Sequence, residues 1–331
     1  MPGGARLSRK GREQAEMVGM PLAHVSWAIA DNADRKPCDA FYQDVFGAET
    51  AYEILITPEN DTMGLDREES LMMIGDTMII PIAPAGKAVQ EGHPAGDMFR
   101  RSAAPMRWLG LALRVDDLKA ADAWFSARGF KLHYDPGMEE HYFLVSRGQA
   151  LGVRLELLCH GLPNDPREDA AWTPAKWRDD HPLGIEGLQS VGVSVLAIEE
   201  ARALFADRLE LADLGKRDLP GDQARCAAFD LGDTVIEAME GSDPEGPVAT
   251  HASDTKGIYC LTFKVRDAAA AMAYLHAKGL NTVGDSADRF AVSPDQAHGR
   301  LIYFTQNTPD GYPQVGSRLR EPARFRDLMA G

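Results

Sequence analysis

Residues 111–132 read LALRVDDLKAADAWFSARGFKL, and this short stretch combines two different periodicities. Apolar residues alternate with small or polar ones over LALRV, which predicts a β-strand with one apolar face. After a polar turn, Ala121, Trp124 and Phe125 follow at helical spacing, which predicts an amphipathic helix that ends near Gly129. The stretch therefore predicts a strand followed by a helix that covers one face of the sheet.

The same strand, turn and helix pattern occurs four times along the chain. The four copies lie at residues 24–49, 108–132, 188–211 and 258–280, so equivalent strand positions recur every 70 to 86 residues. Each copy is followed by a closing strand, which reads TMIIPIAP, GVRLELLCH, TVIEAMEG or GRLIYFTQ. Such a regular period indicates a repeated supersecondary unit. Each unit is interpreted as β-α-β-β-β, and two units side by side would form a curved sheet that encloses a cup.

This arrangement resembles the vicinal oxygen chelate superfamily, which includes glyoxalase I, extradiol dioxygenases, fosfomycin-resistance enzymes and bleomycin-resistance proteins. The resemblance extends from about residue 20 to residue 308, and residues 111–132 together with RLELL at 154–158 are its most typical stretches. It implies an α+β fold in which four βαβββ modules pair into two open-barrel, cup-shaped domains.

The proline-rich segment 165–184 is expected to link the two domains. The first domain is then predicted at 20–164, with modules at 20–86 and 106–160. The second is predicted at 185–308, with modules at 185–242 and 256–308. Residues 1–19 are expected to be a disordered arm or to precede the true start of the protein, and residues 309–331 to form a C-terminal extension.

Composition excludes several classes of partner. The formal net charge is −15, from 50 acidic and 35 basic side chains, which disfavours binding to nucleic acid or to an anionic membrane. The four cysteines form no CxxC pair, and the N-terminus has no apolar signal segment, so a cytoplasmic location is expected. A small-molecule substrate is the expected partner, and whether the chain forms a homodimer is left open.

Strand alternation predicts which side chains enter the cups. In the first strand Val25 and Trp27 should lie under the helix, so that His24 and Ser26 face the cup. The cup-facing positions of the other three first strands are also small or polar, as a binding cavity requires. They are Gly110, Ala112, Arg114, Ser190, Gly192, Ser194, Cys260, Thr262 and Lys264.

The resemblance implies where metal ligands would lie, because family members take them from the first and last strands of paired units. The first-strand positions here are His24, Gly110, Ser190 and Cys260, and the last-strand positions are about Ile82, Glu156, Glu237 and Tyr303. His24 and Glu156 are therefore the expected ligands of a divalent metal ion, Fe(II), Mn(II) or Zn(II). The third ligand is left open between His160, His133 and His141.

Other residues are assigned by their position. His133, His141 and Tyr303 are candidate acid–base groups, and Ser26, Gly110 and Arg114 are candidate substrate contacts. Three of the candidates also have a purely structural interpretation. His24 could be a hydrogen-bonded histidine at a strand start, Glu156 an edge carboxylate or the partner of an arginine, and Tyr303 a packed ring. The second cup keeps fewer ligand types, so a scaffold or dimerisation role is expected for it.

The leading hypothesis is a metal-dependent lyase, isomerase or ring-cleavage enzyme that acts on a small oxygenated molecule, aromatic or aliphatic, in the N-terminal cup. A metal-free binding or resistance protein that sequesters such a molecule is the first alternative. An extradiol-type dioxygenase with a non-standard ligand set is the second, because the usual triad of two histidines and one glutamate is incomplete in both halves.

Overall fold

The computed structural model describes residues 20–55, 66–135, 137–159, 161–169 and 171–315. The arm predicted at residues 1–19 and the end of the C-terminal extension lie outside these ranges. The strands are β1 (Leu22–Ala28), β2 (Glu49–Ile54), β3 (Arg67–Ile74), β4 (Thr77–Pro84), β5 (Gly110–Arg114), β6 (Leu132–His133), β7 (Tyr142–Val145), β8 (Arg154–Leu158), β9 (Ile185–Val195), β10 (Ala212–Leu219), β11 (Ala224–Asp230), β12 (Val235–Gly241), β13 (Gly257–Val265), β14 (Thr282–Gly284), β15 (Phe290–Val292) and β16 (Ile302–Thr305).

The strands form two eight-stranded mixed sheets with the same order. The first is β2-β3-β4-β1-β5-β8-β7-β6, and the second is β10-β11-β12-β9-β13-β16-β15-β14. In each sheet the first strands of two modules pair antiparallel at the centre, as β1 with β5 and β9 with β13. Each first strand also pairs in parallel with the last strand of its own module. The predicted α+β fold of four βαβββ modules in two cup-shaped sheets is confirmed.

The helices are α1 (Arg35–Phe46), α2 (Pro94–Ser102), α3 (Leu118–Ala127), α4 (Ile198–Arg202), α5 (Pro247–Asp254) and α6 (Ala268–Ala277). Helices α1, α3 and α6 are the predicted module helices. The third module helix begins as α4 and continues as a π-helical segment at Ala203–Arg208. Helices α2 and α5 are additional and connect the two modules within each sheet.

One continuous apolar core joins the helix-covered faces of both sheets. Trp27 of β1 packs on Tyr42 of α1 with ring centroids 5.2 Å apart, as the strand phase predicted. Phe46 of the same helix contacts Phe304 of β16 across the two sheets, at 5.8 Å. The cup-facing apolar residues form separate, smaller clusters. The helices thus lie in the shared core, and the opposite face of each sheet is left to form its cup.

The linker fastens one edge of the first cup. Arg167 donates to the carbonyl oxygen of Leu22 at 3.3 Å and to that of Ala23 at 2.6 Å, at the start of β1. Its guanidinium is paired with Asp165, which also binds Arg114 at the end of β5. The buried arginine therefore holds the linker against the strand that carries His24.

No helix within the described ranges combines the length and the apolar character that crossing a membrane requires.

Candidate functional site

His24 and Glu156 meet over the centre of the first sheet. His24 pairs with Ala112 across β1 and β5, and Ala112 pairs with Glu156 across β5 and β8, so the three residues form one row. The residue between them is alanine, which leaves room for the two longer side chains to approach each other. His24 Nε2 and Glu156 Oε2 are 4.0 Å apart. Two residues about 130 positions apart in the chain are thus neighbours in the N-terminal cup.

His24 is a neutral imidazole at physiological pH. Burial lowers its pKa to about 3, and the positive charges of Arg167 and Arg67 act in the same direction. Its Nδ1 is buried and has no hydrogen-bond partner among the described residues. A neutral imidazole with a free ring nitrogen can accept or donate a hydrogen bond, or it can bind a metal ion.

The pKa of Glu156 is shifted in the opposite direction. Burial raises its pKa to about 7, and the negative charge of Glu69 adds to the shift. The side chain is nevertheless 28% exposed, so it remains accessible from the cup. Because His24 is neutral, its contact with Glu156 is not an ion pair at neutral pH. A carboxyl group that titrates near pH 7 in a cavity has the property of a general acid or base.

Further polar residues of the first cup were not predicted. Glu69 of β3 is 7% exposed and pairs with Arg67 on the same strand. Tyr142 of β7 donates its hydroxyl hydrogen to Asp135 at 2.7 Å. The cup-facing position of Glu69 could have been predicted from the turn GD at 75–76. That turn pairs Ile74 with Thr77, and the resulting register places Glu69 opposite Ile82.

The register also corrects one predicted ligand position. Ile80 pairs with Ser26, whereas Glu156 pairs with Ala112, the residue of β5 that corresponds to Ser26. The counterpart of Glu156 in the first module is therefore Ile80 and not Ile82. An isoleucine occupies the position in either case, so the first module supplies no ligand there.

The predicted substrate contacts have different surroundings. Ser26 is 6% exposed on the cup-facing phase of β1. A Cβ atom added to Gly110 would lie 2.5 Å from the carbonyl oxygen of Arg154, so this glycine is required by close strand packing. Arg114 is held by Asp165 at 2.5 Å and by Glu168 at 2.6 Å. Ser26 is the one of the three whose position suits contact with a ligand.

The candidate third ligands are not brought to the pair. His133 lies on β6 at the edge of the sheet and is exposed, and His141 is exposed just before β7. His160 lies outside the described residues. Within the described residues, no group of three or more His, Cys, Asp and Glu side chains could hold a metal ion. His24 and Glu156 are therefore two donors of a suitable type without a described third.

The second cup contains a buried ionic network at the equivalent positions. Tyr303 donates to Asp222 at 2.7 Å, and the guanidinium of Arg289 lies 4.3 Å above the Tyr303 ring. Glu237 is fully buried and is bound by Arg217 and by Tyr312 of the C-terminal extension. Burial acts to raise the pKa of Glu237, but the charges of its arginine neighbours outweigh burial and hold the pKa below its usual value. Tyr303 is therefore separated from His24 and bound to a different carboxylate.

The C-terminal half of the chain matches a family model. Residues 189–304 match the one described as the Glyoxalase/Bleomycin resistance protein/Dioxygenase superfamily. No curated protein sequence matches the chain. The family resemblance inferred from the four repeats is confirmed over residues 189–304.

Solved structures share the architecture. A triple mutant of 4-hydroxymandelate synthase from Streptomyces coelicolor aligns with a TM-score of 0.59 at 15% identity, over 93% of this chain and 99% of that one. Methylmalonyl-CoA epimerase from Mycobacterium tuberculosis aligns over 38% of this chain and 90% of its own, with 22% identity and a TM-score of 0.36. At 15% identity the likeness to the synthase shows the fold alone, and that alignment extends over both sheets of this chain.

Proposed function

We propose that this chain, which carries the fold of the Glyoxalase/Bleomycin resistance protein/Dioxygenase superfamily, is an enzyme of lyase or isomerase type that moves a proton on a small oxygenated molecule in the N-terminal cup. The observation that carries the proposal is the pair formed by Glu156, whose pKa is raised to about 7, and neutral His24 at 4.0 Å. A general base whose pKa lies near the working pH is largely in the form that accepts a proton, and it is still basic enough to drive the proton transfer.

The proposed step is proton abstraction beside a carbonyl group. The Glu156 carboxylate takes the proton from the α-carbon of the substrate, and the electron pair of that bond moves onto the carbonyl oxygen. Neutral His24 would hydrogen-bond the resulting enolate oxygen. Return of the proton to another face or atom completes an isomerisation, whereas loss of a β-substituent completes an elimination. Both outcomes need one carboxyl group that passes between its two protonation states.

A divalent metal ion remains part of the proposal. His24 and Glu156 would be its protein ligands, and a third would come from His160 or from the substrate, since the described residues supply none. When bound, Fe(II), Mn(II) or Zn(II) would polarise the substrate carbonyl. Without the ion, Glu156 moves the proton, and Ser26 and His24 orient the ligand. A carboxylate bound to the ion would be a weaker base, so the proton transfer is proposed for the metal-free site.

Sequestration without turnover is the alternative that a specific observation favours. The first cup contains an apolar cluster of Ala23, Ala112, Tyr142, Leu144 and Leu158. Such a lining suits an apolar or aromatic ligand whether or not chemistry follows. Ring cleavage by a dioxygenase-type reaction with unusual ligands stays a prediction, to be tested by oxygen consumption with catechols and added Fe(II).

The proposal is tested by hydrogen exchange. Purified full-length protein would be incubated in D2O with a panel of small α-hydroxy and β-keto carbonyl compounds, and loss of α-proton signals would be followed by proton NMR. Enzyme-dependent exchange or isomerisation of a compound supports the proposal. Tight binding of panel compounds with no exchange, elimination or isomerisation would favour sequestration instead.

The metal assignment gives a separate prediction. Protein reconstituted with Fe(II), Mn(II) or Zn(II) and then desalted is expected to retain about one ion per chain, measured by elemental analysis. His24→Ala and Glu156→Ala are each expected to lower the affinity about tenfold or more, because two protein ligands leave little redundancy. His133→Ala is the matched control and is expected to retain the metal. Absence of stoichiometric metal in the reconstituted wild-type protein would remove the metal from the proposal.

A further inference from the structure

A groove of about 640 Å³ lies between the two domains and is lined by neither His24 nor Glu156. The volume is within the usual range for small-molecule sites. One wall is formed by residues 147–152, before β8, and the other by the ends of β9 and α5 and by the third module helix. The proposed activity of the first cup does not use any of these segments.

Four basic side chains line the groove: Arg107, Arg147, Arg208 and Lys256. The contacts of the arginines are with backbone and an aromatic ring. Arg147 donates to the carbonyl oxygen of Trp108 at 2.6 Å, and Arg208 donates to that of Arg128 at 2.8 Å. None of the four forms an ion pair with a carboxylate among the described residues. One carboxylate, Glu200, also lines the groove, so its lining has an excess of positive charge on a chain with a net charge of −15.

Arg147 and Arg107 are half-buried and donate to backbone carbonyl oxygens, but neither has an anionic partner among the described residues. Burial lowers the pKa of Arg147 to about 10, and the charges of Arg107 and Arg154 contribute in the same direction. The Nε atom of Arg107 is buried and has no hydrogen-bond partner among the described residues. Buried cationic donors without anionic partners carry a desolvation cost, and a bound anion would offset it.

Two backbone segments pack closely together in the wall of the groove. A Cβ atom on Gly152 would lie 2.6 Å from the Gly257 nitrogen, and one on Gly257 would lie 2.4 Å from the Gly152 carbonyl oxygen. The preceding residues, Leu151 and Lys256, have positive φ angles of 53° and 60°. Such strained positions persist where the surrounding structure holds them, and they are often found at binding sites.

The rest of the groove is largely apolar. Leu151, Leu196 and Leu204 line it, and Leu196 is 57% exposed. A cationic end beside an apolar surface fits a ligand that has an anionic group on a hydrophobic body. We propose that this groove is a second binding site, for a small amphipathic anion that is a phosphate monoester or a carboxylate on an aromatic or aliphatic group.

The proposal is tested by isothermal titration calorimetry of the full-length protein with 1-naphthyl phosphate. 1-Naphthol, which has the same ring without the charge, and inorganic phosphate, which has the charge without the ring, are the matched ligands. The naphthyl phosphate is expected to bind at one site per chain and at least tenfold more tightly than either. Its affinity is expected to fall as salt is added, because the contact with the arginines is electrostatic.

Variants locate the site. Arg147→Gln is expected to weaken binding at least tenfold, and Lys256→Gln, at an exposed position that does not endanger the fold, about threefold or more. Lys216→Gln, an exposed lysine paired with Glu199, is the control and should bind like wild type. Glu156→Gln should also leave binding unchanged. Absence of saturable binding, or unchanged binding in both groove variants, would overturn the proposal, as would loss of binding in Glu156→Gln alone.

Discussion

Glu156→Gln is expected to reduce kcat/KM by about 10²- to 10⁴-fold on a compound that the wild-type protein turns over, which is the usual contribution of one positioned acid–base group. Glutamine keeps the size of the side chain and its hydrogen-bonding oxygen, so the row formed with Ala112 and His24 should persist. What it removes is the carboxyl group whose pKa is raised to about 7. The reaction would then lack the group that accepts the proton.

The control for this variant is Glu139→Gln, an exposed glutamate in the loop before β7. It is expected to retain wild-type kcat/KM. The wild-type rate should also rise with pH through about pH 7, as the Glu156 carboxylate forms, and the remaining rate of Glu156→Gln should lack that rise. A rate for Glu156→Gln within about tenfold of wild type would contradict the assigned role.

The same substitution is expected to change how stability depends on pH. The pKa of this carboxyl group is about 7 in the folded protein and 4.5 in the unfolded chain. The protonated group therefore contributes to the stability of the folded state. That contribution is complete below pH 4.5, is lost as pH rises through 7, and amounts to at most about 3 kcal/mol. Glutamine resembles the protonated acid at every pH. Relative to wild type, Glu156→Gln should therefore gain up to about 3 kcal/mol in unfolding free energy between pH 5 and pH 8.

Urea unfolding at the two pH values, with a chelator present, measures this difference. Glu139→Gln is again the control, and its relative stability should change by less than about 0.5 kcal/mol, as is usual for a surface position. A similarly small change for Glu156→Gln would show that burial does not perturb the carboxyl group.

The fold was predictable because its signal is repeated. Four copies of one strand and helix pattern support each other, and the strand phase that placed Trp27 under α1 is confirmed by its contact with Tyr42. Helices α2 and α5 were missed because they lie between modules and have no repeated counterpart within a module.

The site was predictable only in part. Alternation along β1 and β8 indicated that His24 and Glu156 face one cup, and the row through Ala112 brings them together. Glu69 and the correction from Ile82 to Ile80 depend on the pairing between strands, which periodicity within a single strand does not specify. The groove lined by Arg147 and Lys256 depends on the contact of the two domains and has no local pattern in the sequence.

The most direct test of the account is the titration of Glu156 itself. Carbon-13 NMR of glutamate-labelled, metal-free protein would follow the δ-carboxyl resonance, assigned by its absence in Glu156→Gln. The expected midpoint lies near pH 7. A midpoint near 4.5, the value of an unperturbed glutamate, would contradict the claim that the N-terminal cup holds an acid–base group.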